Sequence, residues 1–289
     1  MENLKALKAV LDKNESLRKK RYVDSIKVLD QFIDDNNFLF LQWNKRKPYI
    51  VRGSFAHGLD SDFTTNIDVW ILLKKVSKPN DSNHNLFIYN WFEGLVKNYF
   101  SNYKVETHPN KSSINIWLEN NFSISLVPFV LDSKSNITRL YKTNDGNLTL
   151  IYENDIEEES LFFKKLKKVS KKSTLANLIL FIISAKIIIQ SRFNQISGIA
   201  IQNYILDKYL SLGKVERSDA IKIFLASLQK GELLDYINQN YSHWEFSNEM
   251  VKQIEQLQKL AEDMLKSLEA GTTYENLVIN YINNSKKLT

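Results

Sequence analysis

With 289 residues, 43% hydrophobic and 25% charged, the chain has ordinary globular statistics and enough length for a large single core or two lobes sharing a cleft. It has no cysteine, which excludes disulfides and thiolate metal sites, and His57, His84, His108 and His243 lack metal-ligand spacing, so any metal must be held by oxygen. The net charge of +6 favours a polyanionic ligand but does not by itself establish nucleic-acid binding.

The start, MENLKALKAVLDKNE, mixes both charge signs and lacks the apolar stretch and cleavage site of a signal peptide, so a cytoplasmic location is expected. Leu4, Leu7, Val10 and Leu11 share one helical stripe and Tyr22, Ile26, Leu29 and Ile33 a second, which predicts two helices broken near Asp12 to Glu15. Pro48 to Gly53 reads as a short strand closed by glycine, and Asn66 to Leu73 as another. Phe87 to Phe100 returns to helical period. Tyr103 to Glu106, Ser113 to Leu118 and Phe122 to Leu131 then read as strands, the last two joined by a polar turn at Glu119-Asn120-Asn121. After Asp132 a polar stretch contains the turn Asn144-Asp145-Gly146, and Leu148 to Tyr152 follows as a further strand.

Beyond about Asp155 the pattern is helical. Ser173 is placed to cap Leu175 to Arg192, Ser197 or Gly198 to begin Ile199 to Leu210, and Ser218 to begin Asp219 to Gln229. Ser247 opens a long helix to about Glu269, in which Val251, Ile254, Leu257, Ala261, Met264 and Leu268 recur as a core stripe. The apolar run Leu175 to Ile189 is interrupted by Asn177, Ser184 and Lys186 and reads as a central buried helix, shorter than the roughly 18 to 20 residues that span a bilayer. KKLKKVSKK at Lys164 to Lys172 reads as a solvated helix face or linker, with phosphate binding as the alternative. Two lobes are expected, residues 1–154 and 155–289.

A Gly-Ser pair at a strand end lets backbone N–H groups and a hydroxyl meet phosphate oxygens without side-chain obstruction. Gly53-Ser54 has that position, with Gly58 five residues on and Asn66-Ile67-Asp68 opening the next strand thirteen residues after Gly53. The whole segment, VRGSFAHGLDSDFTTNIDVWILL, resembles the signature of DNA polymerase β-like nucleotidyltransferases, in which the second strand carries Asp-x-Asp. FSISLVPFV at Phe122 to Val130 resembles the apolar-Asp-apolar-Val-Pro strand of the cyclic-oligonucleotide synthases (the cGAS/DncV-like CD-NTases) and of their oligoadenylate synthetase, poly(A) polymerase and CCA-adding relatives. LILFIISAKIII followed by QISGIAIQNYILDKYL resembles their second-lobe helix pair, with Ser197 at the family's serine and Gly198 in place of its tyrosine. The likeness runs from about Leu17 to Leu210, carried more by order and spacing than by identity.

The resemblance implies an α+β, two-lobed nucleotidyltransferase fold with an N-terminal mixed β-sheet lobe and a C-terminal all-helical lobe. It implies an NTP or oligonucleotide ligand, RNA as a further ligand, a protein partner or second copy, no membrane, and, by analogy, a role in antiviral defence. The catalytic positions are Asn66, Asp68 and Ser125, with Asp68 as metal ligand, and the nucleotide-binding set is Gly53, Ser54, Lys186 and Ser197. In the family three carboxylates hold two Mg²⁺ ions that bind the triphosphate and activate the attacking hydroxyl. Here Asn66 and Ser125 do not ionise. Each lost charge at about 4 Å from a dication removes several kcal/mol gross even at an effective dielectric of about 20, so Mg²⁺ binding is expected to be weak or lost.

Two readings stay open: an impaired scaffold that binds nucleotide or RNA in its cleft, and an active Mg²⁺-dependent enzyme that makes cyclic or linear oligonucleotides or adds nucleotides to RNA. Asp60, Asp62, Glu106, Glu119 and Asp132 are the substitute acids within the lobe, Asp62 the best placed, although a turn or surface role suits it better. His57 reads as a loop-surface side chain with phosphate contact as the alternative. Trp70, on the face of Asp68, reads as core with base stacking as the alternative.

Overall fold

The computed structural model describes residues 2–13, 15–42, 47–57, 59–60, 66–78, 81–107, 113–119, 122–142, 148–152, 162, 164–169, 172–193, 196–213, 216–241 and 248–285. Gly58, Asp62, the side chain of His57, His108, Asn120, Asn121, His243, Ser247, the side chain of Ser173 and the Asn144 to Gly146 turn lie outside the described residues. The chain divides into two compact units, Asn14–Glu159 and a second made of Met1–Lys13 with Ser160–Thr289.

The first unit is built on one sheet. Its described elements are α2 (Glu15–Asp35), β1 (Tyr49–Arg52), the single turn α3 (Gly53–His57), β2 (Asn66–Val76), α4 (Ser82–Tyr99), β3 (Lys104–Thr107), β4 (Ile114–Glu119), β5 (Phe122–Leu131), β6 (Ile137–Lys142) and β7 (Leu148–Tyr152). The strand order is β1-β2-β5-β4-β3, with β6 pairing β5 and β7. β2 and β5 run parallel and the other pairs antiparallel. α4 begins earlier than its apolar period suggests, because the Asp81 side chain accepts from the backbone N–H of His84 and caps it.

Alternation along the strands sorts the two faces. Ile67, Val69, Ile71 and Leu73 of β2, Ile124, Leu126 and Val130 of β5, and Ile114 and Ile116 of β4 pack with Leu29, Phe32 and Ile33 of α2 and Ile88, Tyr89, Phe92 and Val96 of α4 into one core. The opposite face is apolar at one end, where Trp70, Leu72, Val127 and Phe129 cluster. Its other end carries Asn66, Asp68, Ser123 and Ser125. β5 is buried on both faces along almost its whole length, as expected of a central strand with a parallel neighbour.

The second unit is helical: α1 (Glu2–Leu11), α5 (Lys172–Arg192), α6 (Gly198–Ser211), α7 (Arg217–Gln229), α8 (Glu232–Asn240), α9 (Asn248–Glu269) and α10 (Tyr274–Ser285). α1 belongs here and not to the sheet lobe in which the sequence places it, because it packs on α10 and buries Leu7 and Leu11. Thr174–Arg192 has the length and mean hydropathy, 1.8, of a membrane-crossing helix, because α5 continues beyond the apolar run at both ends. Within this unit Phe181, Ile182, Ile183, Ala185, Ile188 and Ile189 of that helix are buried. On α9, Met250, Ile254, Leu257 and Ala261 form the buried stripe against α7. α7 starts at Arg217 with Glu216 at the N-cap, so Ser218 lies inside its first turn.

Candidate functional site

The site is built by register. Asp68 on β2 lies opposite Arg52 on β1 and opposite Ser125 on β5, and Ser125 lies opposite Asn115 on β4. Paired residues share a face, so Arg52, Asp68, Ser125 and Asn115 form one row across four strands. Asn66, two residues before Asp68, projects from the same face, and its amide nitrogen donates to Asp68 Oδ1 at 2.7 Å. The Ser125 hydroxyl donates to Asn115 Oδ1 at 2.6 Å and is 6% exposed. Ser123 and Ser125 thus occupy inward positions of a fully covered strand, and hydrogen bonding is what makes such burial tolerable.

Gly53 closes the site from the β1 side. Its φ is +69°, and a Cβ built there would stand 2.2 Å from Asp68 Oδ2, so the carboxylate packs against bare backbone that only glycine provides. Ser54 follows in α3, and its carbonyl accepts from the N–H of Leu59 at 2.9 Å. α3 is fastened by Phe55, which stacks on Tyr22 of α2 at 5.2 Å and meets Phe122 of β5 edge-on. The chain then runs to Asp60, which accepts from Arg18 Nε at 2.6 Å.

Among the described residues, the other acids considered as substitute ligands are engaged or remote. Asp60 is held by Arg18, and Glu119 pairs with Arg21 at 2.5 Å. Asp132 accepts from the backbone N–H of Lys134 and from the backbone and side chain of Asn136, which makes it a turn residue. Glu106 lies in the same row as Asp68 but three strands away, about 14 Å at the usual strand spacing. Hydrogen bonds from Lys104 and from Trp117 Nε1 hold its carboxyl below the usual carboxylate range. Trp70 is core: the Arg52 guanidinium covers it at 4.2 Å, Phe129 lies 4.9 Å away, and 9% of the residue is exposed. That arrangement leaves no open indole face for a base.

Lys186 and Ser197 both belong to the helical unit. Ser197 is the N-cap of α6, its hydroxyl accepting from Ile199 N–H at 3.3 Å. Lys186 is buried on α5 and donates to Gln202 Oε1 at 3.3 Å. Gly198 is what allows this packing, since a Cβ there would meet Lys186 Cε at 3.0 Å and Gln190 at 2.9 Å. Arg52 and Asn115 are the row members that motif reading missed. Neither is remarkable by composition; only the cross-strand register reveals them.

No protein-family model matches the sequence, and no curated protein matches it. Solved structures do. Escherichia coli MS115-1 CdnC, in a structure with ATP, aligns with a TM-score of 0.59 at 14% identity over 92% of this chain and 91% of its own. CdnC in complex with HORMA-deltaN gives 0.58 at 13% identity over 97% and 94%. Vibrio cholerae DncV, a cyclic AMP-GMP synthase and prokaryotic cGAS homolog, gives 0.55 at 12% identity over 81% of this chain and 67% of its own. The fold is that of the CD-NTase-like nucleotidyltransferases. Identities this low establish the CD-NTase fold alone, so the chemistry must be argued from this chain's own side chains.

Those side chains do not fit a pair of magnesium ions. Magnesium asks for oxygen ligands that carry charge, and the row offers the carboxylate of Asp68, one of whose oxygens already accepts from Asn66. The Asn66 amide presents nitrogen to that carboxylate, and Ser125 spends its proton on Asn115. Arg52, the cross-strand partner of Asp68, adds positive charge to the row where a dication calls for negative charge. Among the described residues no group of three or more His, Cys, Asp or Glu side chains is placed to hold a metal ion.

Proposed function

We propose that this chain is a nucleotidyltransferase-fold protein of the cyclic-oligonucleotide synthase type whose catalysis is impaired and which binds a nucleotide, or RNA, at the polar face of its sheet. The observation that carries this reading is the row in which Asp68 stands between Arg52 and Ser125, with Asn66 bonded to it, where two-metal chemistry needs a cluster of carboxylates. Nucleotide binding is supported by the shared fold, since CdnC is seen with ATP and DncV with GTP. On this reading magnesium is weakly held or lost, the chain acts in the cytoplasm, and it serves antiviral defence through its ligand or through a protein partner, as CdnC has in HORMA-deltaN.

Calorimetric titration with a panel of NTPs and cyclic dinucleotides tests it. The expected result is saturable binding of at least one nucleotide. Absence of binding across the panel would overturn the reading. Retention of Asp68 beside Gly53 favours a second reading, an active Mg²⁺-dependent enzyme, and product formation by this sequence that disappears in Asp68→Ala would decide for it.

A further inference from the structure

The helical unit contains a cavity of about 690 Å³ where α5, α6 and α7 converge with the chain at Lys168 and Val169. That volume falls inside the roughly 300–1,000 Å³ range of small-molecule sites. Its floor is apolar: Leu178 and Phe181 of α5, Ile205 of α6, and Ile221 and Phe224 of α7 line it, and none is more than 7% exposed. Phe181 and Phe224 meet edge-on at 5.2 Å, so the floor is fixed by packing within the protein. The cavity is separate from the Lys186 and Ser197 set. Lys186 meets Gln202 at the other end of the α5–α6 pair, about 13 Å along α5 from the cavity-lining Asn177 at 1.5 Å per residue.

The rim is polar, and among the described residues its charges are Lys168, Lys208 and Glu216. Lys208 donates to Glu232 and lies over the Tyr204 ring at 5.7 Å, so its charge is matched within the protein. Glu216 is the N-cap of α7, where the roughly +0.5 charge of the helix dipole offsets part of its own. Lys168 is an exposed member of the basic run Lys164 to Lys172, and that run is anchored: Lys165 pairs with Asp207 of α6 at 2.6 Å, and Leu166 is buried. The backbone N–H groups of Lys168 and Val169 then donate to Lys165 and Leu166, which turns the chain over the cavity. A rim whose charges nearly balance does not suit a triphosphate. It suits an apolar body with one acidic group. We infer that this cavity binds an amphipathic monocarboxylate of the fatty-acid class, its alkyl chain against Phe181, Ile221 and Phe224 and its carboxylate at Lys168. The inference concerns the helical unit alone and stands apart from the nucleotide proposal.

The test is calorimetric titration of the full chain with sodium decanoate below its micelle-forming concentration, with decylammonium chloride and sodium acetate as controls for the head group and the chain. Decanoate is expected to saturate a single site, decylammonium to bind at least about five-fold more weakly, and acetate not to bind. Lys168→Glu alters an exposed side chain and should leave the fold intact. By exchanging attraction for repulsion it should weaken decanoate at least about five-fold and remove the preference over decylammonium. Asn177→Trp sends an indole into the cavity from a half-buried position and should abolish decanoate binding. Helical circular dichroism checks that each variant is folded, and should Asn177→Trp not fold, Lys168→Glu decides. No saturable binding of decanoate, decylammonium binding as tightly as decanoate, or decanoate binding that Lys168→Glu leaves unchanged would overturn the inference.

Discussion

At Gly53 the absence of a side chain places a carboxylate. Because φ is +69° and the space a Cβ would fill belongs to Asp68 Oδ2, Gly53→Ala must both strain the backbone and displace Asp68. A loss of about 1–3 kcal/mol is expected in urea denaturation, and an unchanged midpoint would show that Asp68 is not seated against Gly53. The neighbouring polar residues make the complementary prediction. In Asn66→Asp/Ser125→Asp, three carboxylates face one another, one of them replacing a side chain that is 6% exposed. Without metal the double variant should be less stable than the parent by about 1–3 kcal/mol. Mg²⁺ should restore much of that loss, seen as a rise in the thermal midpoint that the parent does not share. Equal Mg²⁺ responses in parent and variant would show that the two substitutions are not what separates this site from a metal site.

Elements were more legible in the sequence than their allegiances. The alternation that put Ile67, Val69 and Ile71 on one face and Asp68 and Trp70 on the other was readable because one face of β2 is wholly apolar. β6 was missed: ITRLYK alternates, but its charged Arg139 and Lys142 and the preceding polar turn mask it, and only pairing with β5 and β7 makes it a strand. Register was not readable either, which is why Gly53, Asp68 and Ser125 were found by motif while Arg52, one residue before Gly53, was passed over. α1 carries an amphipathic stripe that any apolar surface satisfies, so its sequence does not say which unit it joins. Its docking on α10 gives a measurable consequence. Leu7 is fully buried, and Leu7→Ala should cost about 2–5 kcal/mol in the unfolding of the helical unit, followed through helical circular dichroism. A cost below about 0.5 kcal/mol would mean that α1 does not contribute to that core.

Across the whole chain, composition excluded thiolate and disulfide chemistry, and the helical second half followed from periodicity. The net charge of +6 said only that an anionic ligand is welcome. Buried tyrosines set the alkaline limit of the fold. Burial and then the hydrogen bond with Asp30 push Tyr49 up to about 12, and burial also drives Tyr89 and Tyr204 upward. Each is raised above its unfolded value near 10, so the stabilisation is complete below about pH 10 and is lost as pH climbs through the folded values. Absorbance at 295 nm should therefore show these three hydroxyls ionising together with the loss of circular dichroism, whereas ionisation within an intact fold would contradict their burial. The central proposal concerns the polar face of the sheet, where Asn66 and Ser125 stand beside Asp68 at the positions proposed to have lost their carboxylates. It is tested most directly by incubating the unaltered chain with the four NTPs and Mg²⁺ and separating the products chromatographically. The account predicts no cyclic or linear oligonucleotide above the protein-free control; a product that forms and then disappears in Asp68→Ala would contradict it.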